Sequence, residues 1–154
     1  MSDQSQQRFL EIPVVRRLAP LRSFNREAGT VELVWSAGQR VMRFDWWEGE
    51  FFIEELDMSA EAVDLSRLNN GAPLLDTHAK YELRSVLGVT ERAWLDKKQG
   101  IAQVRFSKRE EVAPIVQDVA DGIIRNVSVG YTIQQLEQNG FDEATGYRVL
   151  VAKR

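Results

Sequence analysis

Between Thr30 and Leu56 the chain is cut into short β-prone runs separated by turns, and this spacing most constrains its fold. Thr30-Val31-Glu32-Leu33-Val34-Trp35 is rich in β-branched and aromatic residues. Gly38-Gln39 marks a turn, and Val41 to Trp47 repeats the pattern. Glu48-Gly49-Glu50 then turns the chain into Phe51-Phe52-Ile53-Glu54-Glu55-Leu56. Three strands follow from these runs. Trp35, Trp46 and Trp47 are either strand-packing residues or an exposed aromatic patch for a partner. Strand packing is the reading favoured here.

The rest of the chain adds strands and little helix. Residues 12 to 18 alternate weakly and read as an earlier strand. Ser59-Ala60-Glu61-Ala62 opens like a helix with Ser59 as N-cap, running through Leu65 and ending at Asn69-Asn70-Gly71. Ser85 to Leu95 and Ile101 to Ser107 read as a hairpin joined by the polar loop Asp96-Lys97-Lys98-Gln99-Gly100. The strongest helix signal covers 108 to 120. Val112, Ile115, Val116 and Val119 place one apolar face there. Pro114 lies in its first two turns and shifts its start, and Asp121-Gly122 ends it. Ile123 to Ile133 reads as a strand, Asn139-Gly140-Phe141-Asp142 as a turn, and Tyr147 to Ala152 as the last strand. The expected fold is α+β: a mostly antiparallel, barrel-like sheet of about seven strands with two or more helices packed around it.

A chain of 154 residues suits one domain. Residues 1–10 read as a flexible N-terminus and 11–154 as a single domain. The formal charge of −3 argues against a non-specific nucleic-acid binder. The absence of cysteine rules out disulfides and thiolate metal sites, and it fits a reducing compartment. No apolar run approaches the roughly 20 residues that span a bilayer. The polar start Met1-Ser2-Asp3-Gln4 lacks a signal-peptide core. A cytoplasmic protein, without membrane or nucleic-acid partners, is the expectation.

Candidate chemistry is sparse. One histidine and scattered carboxylates do not supply the converging ligands of a zinc site, so no metal or other cofactor is expected. A serine needs a nearby base to act as a nucleophile, and His78 is the chain's one histidine. In Arg125-Asn126-Val127-Ser128-Val129-Gly130-Tyr131, strand alternation puts Ser128 opposite Val127 and Val129, on the face of Asn126 and Gly130. Gly130 would let a substrate backbone approach. His78 follows Ala72-Pro73-Leu74-Leu75, a run that reads as buried. Asp76, two residues earlier, shares its face if the strand continues, and could then orient the imidazole. On the residues alone, a solvent-facing strand serine is the commoner reading of Ser128 and a hydrogen-bonded surface histidine that of His78. If the two meet, the chain is a serine hydrolase; if not, it is a structural module.

Three stretches resemble the prohead (capsid maturation) proteases of tailed phages. They are Asn69-Asn70-Gly71-Ala72-Pro73-Leu74-Leu75-Asp76-Thr77-His78, the hairpin pair Val86-Leu87-Gly88-Val89 and Gly100 to Ser107, and Asp121 to Tyr131. Their order agrees, with 50 residues from His78 to Ser128. The resemblance implies the herpesvirus assemblin-like fold, with Ser128 as nucleophile and His78 as general base of a serine endopeptidase. Its substrates would be phage scaffold and major capsid protein, together with its own chain. The setting would be the host bacterium's cytoplasm and the interior of the assembling prohead. Relatives continue past the last strand into a segment with an acidic residue, whereas this chain stops at Val151-Ala152-Lys153-Arg154. The third catalytic residue would be Asp76 or an acid beyond Arg154. The chain would then be a fragment of a longer protein, such as a protease–capsid fusion, or a processed form. Two other classes stay open. One is a non-catalytic capsid-assembly module of the same fold that binds scaffold or shell. The other is an esterase, although Asn126 breaks the Gly-x-Ser-x-Gly pattern. The oligomeric state is also open, a homo-oligomer included.

Overall fold

The computed structural model describes residues 19–78, 82–127 and 129–153, and of Ala19, Pro20 and His78 the backbone alone. The strand expected over 12 to 18 lies outside the described residues. The fold is mostly β, and the described residues form ten strands in two sheets rather than about seven in one. The strands are β1 Ala19–Asn25, β2 Thr30–Ser36, β3 Val41–Asp45, β4 Glu50–Leu56 and β5 Pro73–Leu75. They continue with β6 Val86–Asp96, β7 Gln99–Phe106, β8 Asn126–Val127, β9 Gln135–Phe141 and β10 Arg148–Lys153. Among the described residues there are two short α-helices, α1 Ser66–Asn69 and α2 Ala113–Ala120.

The larger sheet has the order β5-β6-β7-β2-β1-β8, with every neighbouring pair antiparallel. The smaller sheet runs β3-β4-β10-β9, and its β4–β10 pair is parallel. Val31, Leu33 and Trp35 of β2 alternate onto one face of the larger sheet and join Ala102, Val104 and Phe106 of β7 in the main apolar cluster. Val34 and Ile101, paired directly across β2 and β7, occupy the other face and are also buried. Both faces of this sheet are therefore covered at its centre.

The helices differ from the sequence expectation in length more than in role. α2 begins at Ala113 with Pro114 in its first turn, where a missing N–H costs nothing. Val112 just before it is fully buried, and Val116 and Val119 pack on the main cluster, so the expected apolar face is the docked one. Gly122 ends the helix at φ 70°, with Ile123 N–H donating to Asp118 C=O and Gly122 N–H to Val119 C=O. Ser59 caps no helix. Its N–H donates to the Asp57 carboxylate, which this bond holds below its ordinary pKa, and the chain turns until α1. Asn69, the last residue of α1, extends the edge of β6. Its side-chain amide accepts from Ala93 N–H at 2.8 Å and donates to Ala93 C=O at 3.1 Å.

Two further expectations change. The strand expected over 123 to 133 contracts to Asn126–Val127. The turn expected at Asn139-Gly140 lies inside β9. Between Phe141↔Arg148 and Gln138↔Leu150 the register advances three residues on β9 and two on β10, with Gly140 at φ 71°. The Asn-Gly pair therefore makes a bulge instead of reversing the chain.

Candidate functional site

The segments bearing His78 and Ser128 occupy opposite ends of the larger sheet. His78 closes a 3-10 turn, Asp76–His78, that follows β5. The strand does not continue through it, because Thr77 is left-handed at φ 48°, ψ 30°. Asp76 therefore does not share a strand face with His78, and that basis for its orienting role is lost. Pro73 is exposed and Leu74 and Leu75 half-buried, as suits a sheet edge rather than a buried run. Ser128 and the His78 side chain lie outside the described residues. Around Ser128, Val127 and Val129 pack on the main cluster while Asn126 and Gly130 are exposed. A Cβ at Gly130 would meet nothing within 4 Å, so packing does not demand glycine there. β5 and β8 are separated in the sheet order by β6, β7, β2 and β1.

Two open grooves flank these ends. One, of about 320 Å³, is lined by Leu83, Val86, Gly88, Phe106, Ser107 and Arg109 among others. Arg109 spans it, donating to the carbonyls of Leu83, Arg84 and Val86. The other, of about 500 Å³, is lined by Leu21, Val119, Ile124, Arg125 and Asn126 among others. Among the described lining residues, neither groove joins the turn after β5 to β8. No group of His, Asp or Glu among the described residues could hold a metal ion. No described helix is long and apolar enough to cross a membrane.

Tyr131, three residues past Ser128, is anchored to the smaller sheet. Its hydroxyl donates to Glu54 Oε1 at 2.5 Å and accepts from Arg43 Nη2 at 2.7 Å. Arg43 Nη2 also lies 3.0 Å from the same Glu54 oxygen. Glu54 is completely buried and Arg43 nearly so. The register Val41↔Glu54, Arg43↔Phe52 puts Arg43 and Glu54 on one face of β3 and β4, close enough to pair diagonally. These bonds offset the cost of taking polar groups out of water. Sequence alternation places Arg43 and Glu54 on a strand face but gives no sign that a residue 77 positions away closes the cluster.

The β3–β4 hairpin tip exposes two large apolar side chains. Trp46 is 81% and Trp47 83% exposed, so the strand-packing expectation fails for both and holds only for the buried Trp35. The cause is local. Asp45 Oδ1 accepts from Trp47 N–H at 2.9 Å and Glu48 N–H at 3.3 Å, ending the strand before the tryptophans. Gly49 at φ 68° completes the turn. An Asp opening a turn that closes on Gly is a recognisable signal for this. From the tip an aromatic row runs back across the sheet. Trp46 meets Phe44 at 4.8 Å, Phe44 meets Phe51 at 4.9 Å, and Phe51 meets Tyr147 at 5.7 Å between ring centroids.

Fold and site together define a mostly β, two-sheet domain with an aromatic hairpin exposed at one end. Part of the chain is 47% identical over 87 residues to the protein named major capsid protein in Halomonas phage phiHAP-1. That match covers 56% of this chain and 14% of the relative. No family model matches the chain, and no solved structure matches it. The relative overturns the resemblance to the prohead proteases, because its name is that of a shell component. The serine-endopeptidase function and the hydrolase class that rested on that resemblance are withdrawn with it.

Proposed function

We propose that this chain is a non-catalytic module of a phage capsid that binds shell or scaffold protein during assembly. The identity to a phage major capsid protein carries the reading. The exposed aromatic hairpin supports it, since tryptophans this open on a folded domain are typical of contact surfaces. The module would correspond to a small part of a much longer capsid polypeptide. It would reside in the phage particle and its bacterial host, and a homo-oligomer is compatible with this role. We also infer that the larger sheet curves toward a barrel. Leu74 beside one end and Val127 at the other pack on the same apolar cluster, which supports that curvature.

On this reading assembly does not depend on Ser128 or His78. The test is co-expression with the shell and scaffold proteins of the same phage. Ser128→Ala and His78→Ala are expected to give shells in wild-type yield, and a fluorophosphonate probe is expected to leave the wild-type chain unlabelled. Loss of shell or scaffold processing in Ser128→Ala, or labelling at Ser128, would overturn the reading.

A further inference from the structure

We propose that Asn70 is a site of spontaneous self-modification, in which the Gly71 backbone nitrogen displaces its side-chain amide and the isoaspartate among the products loosens β5 from the larger sheet. The inference is independent of the capsid reading and stands on the turn between α1 and β5. Asparagine followed by glycine is the pairing most open to this reaction, because glycine sets no side chain beside the attacking nitrogen. The sequence holds two such pairs, Asn70-Gly71 and Asn139-Gly140. Their surroundings differ. Asn70 and Gly71 are both exposed in the turn after α1, with Gly71 at φ 77°. Among the described residues no group accepts from the Gly71 N–H and none bonds the Asn70 side chain, whereas the neighbouring Asn69 is held on the Ala93 backbone. Ring closure needs rotation about the Asn70 Cα–C bond. The bonds that resist it are long, Asn70 N–H to Arg67 C=O at 3.3 Å and Ala72 N–H to Leu68 C=O at 3.5 Å. Asn139 is exposed too, but Gln138 and Phe141 on either side pair with Leu150 and Arg148 of β10. The same rotation there must first open that ladder.

The chemistry uses water alone. Hydroxide takes the Gly71 amide proton, and the nitrogen attacks Asn70 Cγ to form a new C–N bond. The side-chain nitrogen picks up a proton and leaves as ammonia, closing a five-membered imide. Water then breaks one of the two imide C–N bonds. Scission at Cγ returns the normal main chain with aspartate at the position. Scission at the backbone carbonyl leaves the chain running through the side-chain methylene, as isoaspartate. That extra carbon falls two residues before Ala72, whose C=O accepts from the buried Thr90 N–H at 2.8 Å, and just ahead of the Pro73↔Val89 pair that starts β5. Aspartate adds charge there, and isoaspartate also shifts the backbone that carries these bonds.

Ageing the folded protein in warm, mildly alkaline buffer, with peptide mapping by mass spectrometry and fragmentation to place the change, tests the site. Asn70 is expected to convert at least about tenfold faster than Asn139 in the folded protein, and the two rates to converge in urea, where neither pair is held. Asn70→Gln is expected to stay unmodified at that position with wild-type thermal unfolding. In the acidic fraction recovered by ion exchange, isoaspartate molecules are expected to exchange the Thr90 amide about tenfold faster than fresh protein. Asn70→Asp, which carries the charge on a normal main chain, is expected to keep wild-type protection at Thr90. Asn139 reacting as fast as Asn70 in the folded protein would overturn the site, as would folded Asn70 reacting more than about a hundredfold slower than in urea. Wild-type protection of Thr90 in the isoaspartate molecules would overturn the loosening of β5.

Discussion

The buried cluster of Arg43, Glu54 and Tyr131 shows how single residues tie distant segments together. Each partner lowers the desolvation cost of the others, so removing one exposes the rest to that cost. Glu54→Ala leaves the Arg43 guanidinium without its carboxylate in a dry site and is expected to destabilise by about 3–5 kcal/mol. Tyr131→Phe keeps the ring and removes one hydroxyl from a charged pair, for an expected loss of roughly 1.5–3 kcal/mol. Urea unfolding measures both, and a Glu54→Ala loss below that of Tyr131→Phe would contradict the account. Gly100 poses a steric version of the same dependence. A Cβ there would lie 2.2 Å from the ring of Trp35, which is itself buried. Gly100→Ala must displace that ring and is expected to cost about 3 kcal/mol, the upper end for overpacking. The near-ultraviolet circular dichroism of the tryptophans should change in parallel. Composition around Gly100 reads only as a loop glycine, because the residue that needs the space is 65 positions away.

Among elements, the β6–β7 hairpin was the most legible. Its strands alternate over many residues, and a polar loop separates them, so the pairing register follows from the pattern. The loop is tighter than the sequence suggests. Asp96 pairs with Gln99, leaving Lys97 and Lys98 as a two-residue turn at φ 48° and 63°. Both lysines adopt the left-handed region that glycine and asparagine favour in this turn type. Relief of about 1–2 kcal/mol of left-handed strain, set against glycine's larger unfolded-state entropy, gives an expected gain of about 0.5–1 kcal/mol for Lys98→Gly. Chemical denaturation would register it as a higher midpoint at constant slope, and a lower midpoint would contradict the turn assignment. β9 was illegible for the opposite reason. Gln135-Leu136-Glu137-Gln138-Asn139-Gly140-Phe141 is largely exposed and polar at a sheet edge, so no alternation marks it. Its one strong signal, Asn139-Gly140, serves a bulge and reads from sequence as a chain reversal. The Ser128 segment fails similarly. Its apolar alternation is real, but among its described residues only Asn126–Val127 finds a strand partner, in Ala19–Pro20 of β1. The aromatic tip was misplaced because alternation continues through Trp47 in sequence, while the Asp45 turn stops it in space.

Across the whole molecule, the two sheets are joined where β4 runs out. Past Leu56 the chain remains tied to the smaller sheet through Asp57 N–H, which donates to Ala152 C=O at 3.1 Å. One residue later Met58 is buried in the main cluster of the larger sheet, and Leu56 packs against that cluster as well. Gly38, between β2 and β3, crosses the same point, where a Cβ would sit 3.1 Å from Met58 Cγ. Met58 therefore acts as a pin between the sheets, and its flexible thioether suits the irregular gap between them. Truncating it removes a buried side chain from a site whose surroundings are fixed by two backbones, so little collapse can refill the space. Met58→Ala is expected to cost about 3 kcal/mol and to loosen the coupling between sheets as well as the cluster. Native-state hydrogen exchange separates the two effects. In the wild type the central amides of β4 and β10 should open together with those of β2 and β7. In Met58→Ala the smaller sheet should exchange first, through a sub-global opening that leaves β2 and β7 protected. Uniform loss of protection across both sheets would mean that the cavity term acts alone and that the coupling runs through other contacts.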